Sequence, residues 1–117
     1  MKKVFHLVNC KTCQRIASDL EFEANGFDVQ NIKEQNIDAQ TLDAIKDQLG
    51  SYEAIFSRRA MKYRSLGLNE KALSENDYRE LILEEYTFLK RPVIQIDDQF
   101  FVGSTKAVIA KAKETIG

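Results

Sequence analysis

Two cysteines, Cys10 and Cys13, are the residues of this sequence whose types and spacing could carry out covalent chemistry. They form a C-x-x-C motif, in which the first thiolate can attack an oxidised partner and the second thiol can then displace what the first has captured, closing a disulfide. Lys11 adds a positive charge between them, and His6, four residues before Cys10, is a candidate supporting residue. The thiolate is the reactive form of cysteine, so this chemistry requires a setting that stabilises negative charge at Cys10.

Other readings of the cysteine pair carry less weight. A structural zinc site normally has four ligands. With two cysteines and one histidine in the chain, carboxylates would have to complete it, so we predict no metal site. An inert buried pair is the simplest alternative, because cysteine often serves as a small core residue. That alternative suits Cys13, on the apolar face of a predicted helix, better than Cys10, which falls in a polar loop.

The elements that must position the motif are a strand, a loop and a helix. The continuous β-favouring run of residues 3–8 predicts a buried strand, and from Cys13 onward the apolar spacing becomes helical. We expect Asn25-Gly26 to end this helix, and the alternation over residues 27–32 to form a second strand. The N–H groups and dipole at the start of the helix would then lower the pKa of Cys10.

The middle of the chain predicts helices. Asp38 is a plausible N-cap for a helix that Gly50 ends, and two short helices are expected at residues 52–56 and 61–68. The stretch from Ser74 to Asp77 resembles a capping box and opens a helix that we expect to continue towards Leu89. The last third predicts strands over residues 93–96 and 100–102 around a turn at Asp97-Asp98, then a final amphipathic helix.

Length and composition fit one soluble domain. The 117 residues carry 17 basic and 18 acidic side chains, a net charge of −1 that favours neither nucleic acid nor an anionic membrane. No apolar run approaches the roughly 20 residues of a membrane span, and with no export signal we expect a monomer in the reducing cytoplasm. The order βαβ, helices, ββα predicts an α/β fold, a single domain over residues 1–117 with a helical insertion at about 38–90.

Three arginines and one proline extend the candidate site. Arginine can bind a planar or tetrahedral oxyanion with two parallel hydrogen bonds, which makes Arg58, Arg59 and Arg91 candidates. For one of the adjacent pair we expect a solvated surface side chain. Pro92 breaks the helical pattern before the third strand, and without a family analogy a trans peptide bond would be expected there.

With these pieces in place, the sequence resembles the glutaredoxin-linked arsenate reductases (ArsC), the Spx regulators and the YffB-like proteins, which form one family. The resemblance spans nearly the whole chain, and its pieces occur in family order. Four stretches carry it: Phe5-His6 with Cys10 four residues on, residues 57–63 before Leu66-Gly67-Leu68, Lys90-Arg91-Pro92-Val93-Ile94, and Phe101-Val102-Gly103.

The resemblance implies a thioredoxin-like (glutaredoxin-like) fold with a mixed four-stranded sheet and an inserted helical subdomain. It implies that Cys10 is the nucleophile, that Arg91 lies beside it, and that the Arg91-Pro92 bond is cis. By family alignment Arg59 matches the arginine of the Spx-like and YffB-like branches. The implied substrate-binding residues are Arg59, Lys11, Thr12 and Pro92, with His6 in support.

Some positions depart from the arsenate reductase pattern. Those enzymes carry an arginine where this chain has Ser57 and another near Gly103, and they usually lack the second cysteine that Cys13 supplies. We therefore expect a thiol-dependent reductase acting on arsenate or on a disulfide such as a glutathione mixed disulfide. Cys13 or glutathione, the expected co-substrate, would resolve the intermediate, and glutaredoxin or thioredoxin would recycle the protein, with no bound cofactor.

Two alternatives stay open. One is an Spx-like regulator that binds RNA polymerase and uses the cysteine pair as a redox switch. Gly50, the nearest candidate for the Spx contact glycine, lies one residue away from the expected spacing to Arg59. The other is a thioredoxin-fold relative with no efficient activity, for which an ordinary pKa of Cys10 would be the sign.

Overall fold

The computed structural model describes residues Met1–Ile116, which form a mixed α/β protein with a four-stranded sheet. In chain order its main elements are β1 (Lys2–His6), α1 (Lys11–Asp19), β2 (Asp28–Asn31), α2 (Ala39–Leu49), α3 (Met61–Ser65), α4 (Glu75–Glu84), β3 (Val93–Ile96), β4 (Gln99–Val102) and α5 (Lys106–Ile116). Short 3-10 turns occupy Glu53–Ile55, Leu68–Glu70 and Tyr86–Phe88.

The strands follow the order β2-β1-β3-β4, with β1 parallel to β2 and antiparallel to β3. Strands β3 and β4 form the predicted hairpin around Asp97-Asp98. The predicted mixed thioredoxin-like sheet is thereby confirmed. Because β1 is a central strand, its C-terminal end is held on both sides, through His6 paired with Asn31 and Phe5 paired with Val93. This is the end from which the cysteine loop departs.

The chain folds as two compact units. The sheet unit comprises Met1–Gln35 and the segment from Arg91 onward, and it holds the sheet with α1 and α5. Its core is apolar, and each Å² of apolar surface that folding removes from water stabilises the fold by about 25 cal/mol. The buried members of this core are Val4, Ile16, Leu20, Phe22, Phe27, Ile94, Ile96 and Ala112.

The helical unit comprises Asn36–Lys90 and has its own buried aromatic centre. The Phe56 ring contacts Tyr63, Tyr78 and Phe88, with ring centroids 5.9, 4.9 and 5.1 Å away. The predicted caps are confirmed. Asp38 accepts a hydrogen bond from the backbone N–H of Thr41, Gly50 ends α2 at a φ of 94°, and a capping box begins α4 at Ser74.

Helix α1 is shorter than predicted. It ends at Asp19 rather than near Asn25-Gly26, because Glu21 takes a left-handed conformation with a φ of 50°. The N–H of Phe22 then bonds to the Ala17 carbonyl at 3.2 Å and the N–H of Glu21 to the Ser18 carbonyl at 3.2 Å, the pattern of a Schellman motif. This turn carries Phe22 into the core, where only 2% of its surface is exposed.

Helix α4 likewise ends early, at Glu84, because Glu85 is extended at a φ of −138° and the chain continues as the 3-10 turn Tyr86–Phe88. The bond between Arg91 and Pro92 is cis, as the family resemblance implied. None of the helices within Met1–Ile116 is long and apolar enough to cross a membrane.

Candidate active site

Both cysteines lie where β1 gives way to α1. Cys10 is the N-cap of α1, extended at φ −85° and ψ 123°, and Cys13 lies in the first helical turn. Both are free thiols, but Cys10 is partly exposed whereas Cys13 is only 1% exposed. Of the two, Cys10 is therefore the one that a partner in solution can reach.

The backbone around Cys10 favours its thiolate. Partial burial opposes ionisation, but hydrogen bonds from the backbone and side chain of Cys13, a backbone hydrogen bond from Thr12 and the positive charge of Arg91 together lower the pKa of Cys10 below its ordinary value. The backbone donors are N–H groups that the first turn of a helix leaves without intrahelical partners. A lowered pKa at a reachable thiol is the property that a nucleophilic cysteine needs.

Cys13 has the opposite character. Burial raises its pKa to about 11, a backbone hydrogen bond at Leu7 opposes the rise, and the hydrogen bond and charge of Cys10 add to it. At neutral pH Cys13 is therefore a neutral thiol, whose S–H can donate to the Cys10 sulfur. The two positions of the motif are chemically distinct before any substrate arrives.

Arg91 and Pro92 reach the same region from the start of β3. The charge of Arg91 lowers the pKa of both cysteines. The carbonyl of Pro92 accepts a hydrogen bond from the Gly103 N–H at 3.0 Å, so the strand start is fixed to the end of β4. The backbone next to Arg91 is thus anchored, and a position of its side chain beside Cys10 stays a prediction.

Lys11 and Thr12 are the first two residues of α1, and both side chains are exposed. Thr12 acts on Cys10 through its backbone, while its hydroxyl is open to solvent. Contact of either side chain with a substrate stays a prediction. Among residues 1–116, no three His, Cys, Asp or Glu side chains come together as a metal site would require.

His6 lies on β1 but is part of the core. It is 5% exposed, its ring meets that of Phe22 edge-on with centroids 6.3 Å apart, and burial lowers its pKa. Neither ring nitrogen has a hydrogen-bond partner within the described residues. At neutral pH the ring is therefore uncharged, so any support it gives Cys10 comes from packing rather than from a positive charge.

The adjacent arginines of the helical unit differ. Arg58 donates to Glu53 and to the hydroxyl of Tyr78, and its pKa is raised chiefly by the Glu53 bond, so it is a structural side chain. Arg59 is exposed, and its guanidinium makes no hydrogen bond or ion pair with the residues described. Of the two, Arg59 is the arginine left available for a ligand.

Sequence analysis missed Gln14. Its side-chain amide donates to the carbonyl of Val8 at 2.7 Å, linking α1 to the loop before Cys10. A glutamine on the exposed face of a helix has no sequence signal for such a contact, because the contact depends on the course of the loop. The sequence signal that could have found it is the helix period, which places Gln14 one turn after Cys10 and therefore near the loop.

Comparisons with known proteins agree with this arrangement. The model of the ArsC family matches residues 5–112 of the chain. The uncharacterized protein YusI of Bacillus subtilis (strain 168) is 30% identical over 97 residues, which cover 80% of this chain and 82% of that protein.

A regulator and a solved structure are also similar. The global transcriptional regulator Spx 2 of Bacillus anthracis is 25% identical over 115 residues, covering 95% of this chain and 86% of that one. An ArsC family related protein from Bacteroides fragilis superposes with a TM-score of 0.82 at 19% identity, covering 99% and 97% of the two chains. That structural likeness shows a shared fold.

Proposed function

The chain belongs to the ArsC family, and from that membership we propose that it is a thiol-dependent reductase with Cys10 as its nucleophile. The observation that carries the proposal is the setting of Cys10. It is a reachable thiol at the N-cap of α1, with a lowered pKa, next to the buried Cys13 and near the charge of Arg91. An inert core cysteine would not be reachable at a helix N-cap, and its pKa would not be lowered.

The substrate class that we favour is a glutathione mixed disulfide. The Cys10 thiolate attacks the glutathione sulfur, a new S–S bond forms between them, and the other half of the substrate leaves as a thiolate that takes a proton from water. Cys10 is oxidised and the released thiol is reduced. Arg91 supports this step by stabilising the thiolate and by offering a guanidinium to a carboxylate of the bound glutathione.

Resolution follows from the coupling between the two thiols. Once Cys10 is in a mixed disulfide it no longer carries the charge or the acceptor sulfur that help to raise the pKa of Cys13, so only the burial contribution to that rise remains. Cys13 can then lose its proton and attack Cys10, forming the Cys10–Cys13 disulfide and releasing glutathione. External glutathione is the competing route, in which oxidised glutathione leaves and the Cys10 thiolate returns. Glutaredoxin or thioredoxin would reduce the internal disulfide.

Arsenate is the second substrate to test. The Cys10 thiolate would displace one arsenate oxygen as water, forming a sulfur–arsenic bond. A second thiol would then attack Cys10, making a disulfide and leaving the bonding electron pair on arsenic as As(III). The family resemblance assigns Arg59 and Arg91 to hold the anion, while Gly103 lacks the side chain that the dedicated arsenate reductases place in that region. This shortage of charge-assisted hydrogen bonds favours the disulfide substrate.

Reductant-coupled turnover tests the proposal. Purified wild type, Cys10→Ser and Cys13→Ser are assayed with glutathione, glutathione reductase and NADPH against a cysteine–glutathione mixed disulfide and against arsenate, and separately with glutaredoxin or thioredoxin added. We expect turnover of the mixed disulfide that disappears in Cys10→Ser. Retention of activity in Cys13→Ser would assign resolution to external glutathione. Equal rates for wild type and Cys10→Ser on both substrates would reject the reductase.

The second candidate is a redox-sensing regulator that binds RNA polymerase. It is favoured by the 25% identity to Spx 2 over 95% of the chain and by the presence of both cysteines. In this function the Cys10–Cys13 disulfide would switch binding rather than serve turnover. Pull-down of purified RNA polymerase by the reduced protein, the oxidised protein and Cys10→Ser distinguishes the two. Binding that changes with oxidation only when Cys10 is present supports the regulator.

A further inference from the structure

Besides the bond between Cys13 and the Leu7 backbone, three hydrogen bonds close the loop that delivers Cys10 to α1. The N–H of Cys10 bonds to the carbonyl of Leu7 at 3.1 Å, which makes a tight turn through Val8 and Asn9. The other two bonds come from Gln14, whose backbone N–H bonds to the Cys10 carbonyl at 2.9 Å and whose side-chain amide bonds to the Val8 carbonyl at 2.7 Å. Gln14 therefore bonds both to the turn before Cys10 and to the carbonyl of Cys10 itself.

Packing contributes little to the position of this loop. Val8 is 41% exposed and Asn9 is also exposed, so neither side chain is buried as an anchor. Hydrogen bonds must fix the turn instead. Two side chains of α1 contribute, with Cys13 bonding to the Leu7 backbone and the Gln14 amide bonding to Val8 inside the turn. Without that bond the Val8 carbonyl would turn to water, and the turn would gain conformational freedom.

We propose that Gln14 is a positioning residue, whose amide holds the loop of residues 7–10 against α1 so that the Cys10 sulfur stays facing the N–H groups of Thr12 and Cys13. The inference rests on the proposed function, in which Cys10 is the nucleophile. Gln14 touches neither substrate nor the reacting sulfur in this role. It acts through the loop, whose position determines whether the Cys10 sulfur can accept hydrogen bonds from the N–H groups of Thr12 and Cys13.

Two leucine variants on the same helix separate this role from general destabilisation. Gln14→Leu removes the amide donor while keeping a side chain of similar size. Ser18→Leu is the matched control, one helical turn further on. Ser18 is exposed, and its hydroxyl makes no hydrogen bond with the described residues, so the control adds the same exposed leucine without touching the loop.

The readout is the pH profile of alkylation at Cys10, measured with iodoacetamide and quantified by mass spectrometry. Trypsin cleavage after Lys3, Lys11 and Arg15 puts Cys10 and Cys13 on separate peptides, residues 4–11 and 12–15. We expect the midpoint for Cys10 in Gln14→Leu to rise by roughly half to one pH unit, the equivalent of one lost capping hydrogen bond. The midpoint in Ser18→Leu should equal that of wild type.

Each outcome decides a different question. A low midpoint in wild type that is unchanged in Gln14→Leu overturns the positioning role and leaves the proposed function standing. Equal rises of the Cys10 midpoint in Gln14→Leu and Ser18→Leu also overturn it, because the effect would then come from the added leucine on the helix rather than from the lost bond between Gln14 and Val8. A wild-type midpoint at the ordinary thiol value removes the basis of the proposed function, and the inference falls with it.

Discussion

The cysteine loop and the helical unit stabilise charge in opposite ways. In the loop, the pKa of Cys10 is lowered by backbone N–H groups, by the Cys13 thiol and by the charge of Arg91. In the helical unit, charges are matched side chain to side chain, with Arg79 2.8 Å from Asp43 and Lys62 2.8 Å from Glu85. The pKa of Asp43 falls to about 2, first through its hydrogen bond with Arg79 and then through that with Tyr52.

The difference separates reactive from structural charge. Backbone N–H groups cannot titrate, and they leave the Cys10 sulfur open to an incoming atom, whereas a paired side chain would block it. Arg58 and Arg59 show the same division within one dipeptide, since Arg58 is engaged by Glu53 and Tyr78 while the Arg59 side chain makes no such bond with any described residue. The charge of Arg58, which holds the fold, is paired, whereas that of Arg59 is not paired with any described residue.

The largest expected effect comes from replacing each of these two arginines in turn. Arg59→Met should raise KM for an anionic substrate roughly tenfold to a hundredfold, the scale of one charge-assisted hydrogen bond, with no change in the free energy of unfolding. Arg58→Met should instead lower that free energy by about 1 kcal/mol, a small value because the Arg58–Glu53 pair is half exposed. Steady-state kinetics and urea unfolding of both variants measure this. The reverse pattern would exchange the two assignments.

A second expectation concerns pH and His6. Burial lowers its pKa in the folded protein, so below its unfolded pKa of about 6.5 the unfolded chain binds more protons, and stability falls as pH drops towards the folded pKa. A single site can contribute at most about 1.4 kcal/mol per pH unit. Urea unfolding of wild type between pH 7.5 and pH 5 should show this loss.

His6→Phe is the control for that expectation, because it keeps an aromatic ring beside Phe22 and has no proton to bind. Its stability should lack the His6 contribution over the same pH interval and keep only the dependence that the lowered pKa of Cys10 produces. The carboxylates with lowered pKa values, Asp43 and Glu85 among them, stabilise the fold above their unfolded pKa values and lose that contribution at lower pH, below about 4.5. A wild-type profile that parallels His6→Phe would contradict the assignment.

A third expectation is confined to the helical unit. Ser74→Ala removes one half of the capping box at the start of α4, where the Ser74 hydroxyl accepts from the N–H of Asp77. The loss should lower the free energy of unfolding by about 1 kcal/mol. The alkylation midpoint of Cys10 should not move in the same variant. A shift of that midpoint would show that the loop depends on the cap.

The smallest effect is expected from Arg91. Its charge is a weaker influence on Cys10 than the hydrogen bonds from Cys13 and Thr12, so Arg91→Met should raise the pKa of Cys10 slightly, and Arg91→Lys should keep it near the wild-type value. The same alkylation profile measures both variants. A rise in Arg91→Met larger than that in Gln14→Leu would show that the side-chain cation, not the backbone, governs the thiolate.

Much of the fold could be predicted from local patterns. The caps at Asp38 and Ser74 and the stop at Gly50 follow from residue types that satisfy helix ends, and the structure has all three. The end of α1 could not be predicted this way. Its left-handed residue is Glu21 rather than glycine, and it is held by the burial of Phe22, a tertiary effect with no local signal.

The candidate site shows the same limit. Cys10 and its place before a helix could be predicted, because a C-x-x-C motif after a buried strand has few structural explanations. Two contacts could not be predicted. The bond of Arg58 to Tyr78 depends on the position of a hydroxyl 20 residues away, and the bond of Gln14 to Val8 depends on the course of the turn. Family resemblance supplied the cis Arg91-Pro92 bond, for which spacing alone favoured trans.

The most direct test of the central claim is to trap the first covalent intermediate. Wild type, Cys10→Ser and Cys13→Ala are incubated with oxidised glutathione, quenched with acid and mapped by tryptic mass spectrometry. The account predicts a stable glutathione adduct on residues 4–11 of Cys13→Ala, a Cys10–Cys13 disulfide in wild type, and no adduct in Cys10→Ser. An adduct that forms on Cys13 as fast as on Cys10, or no adduct at Cys10 at all, would contradict Cys10 as the nucleophile.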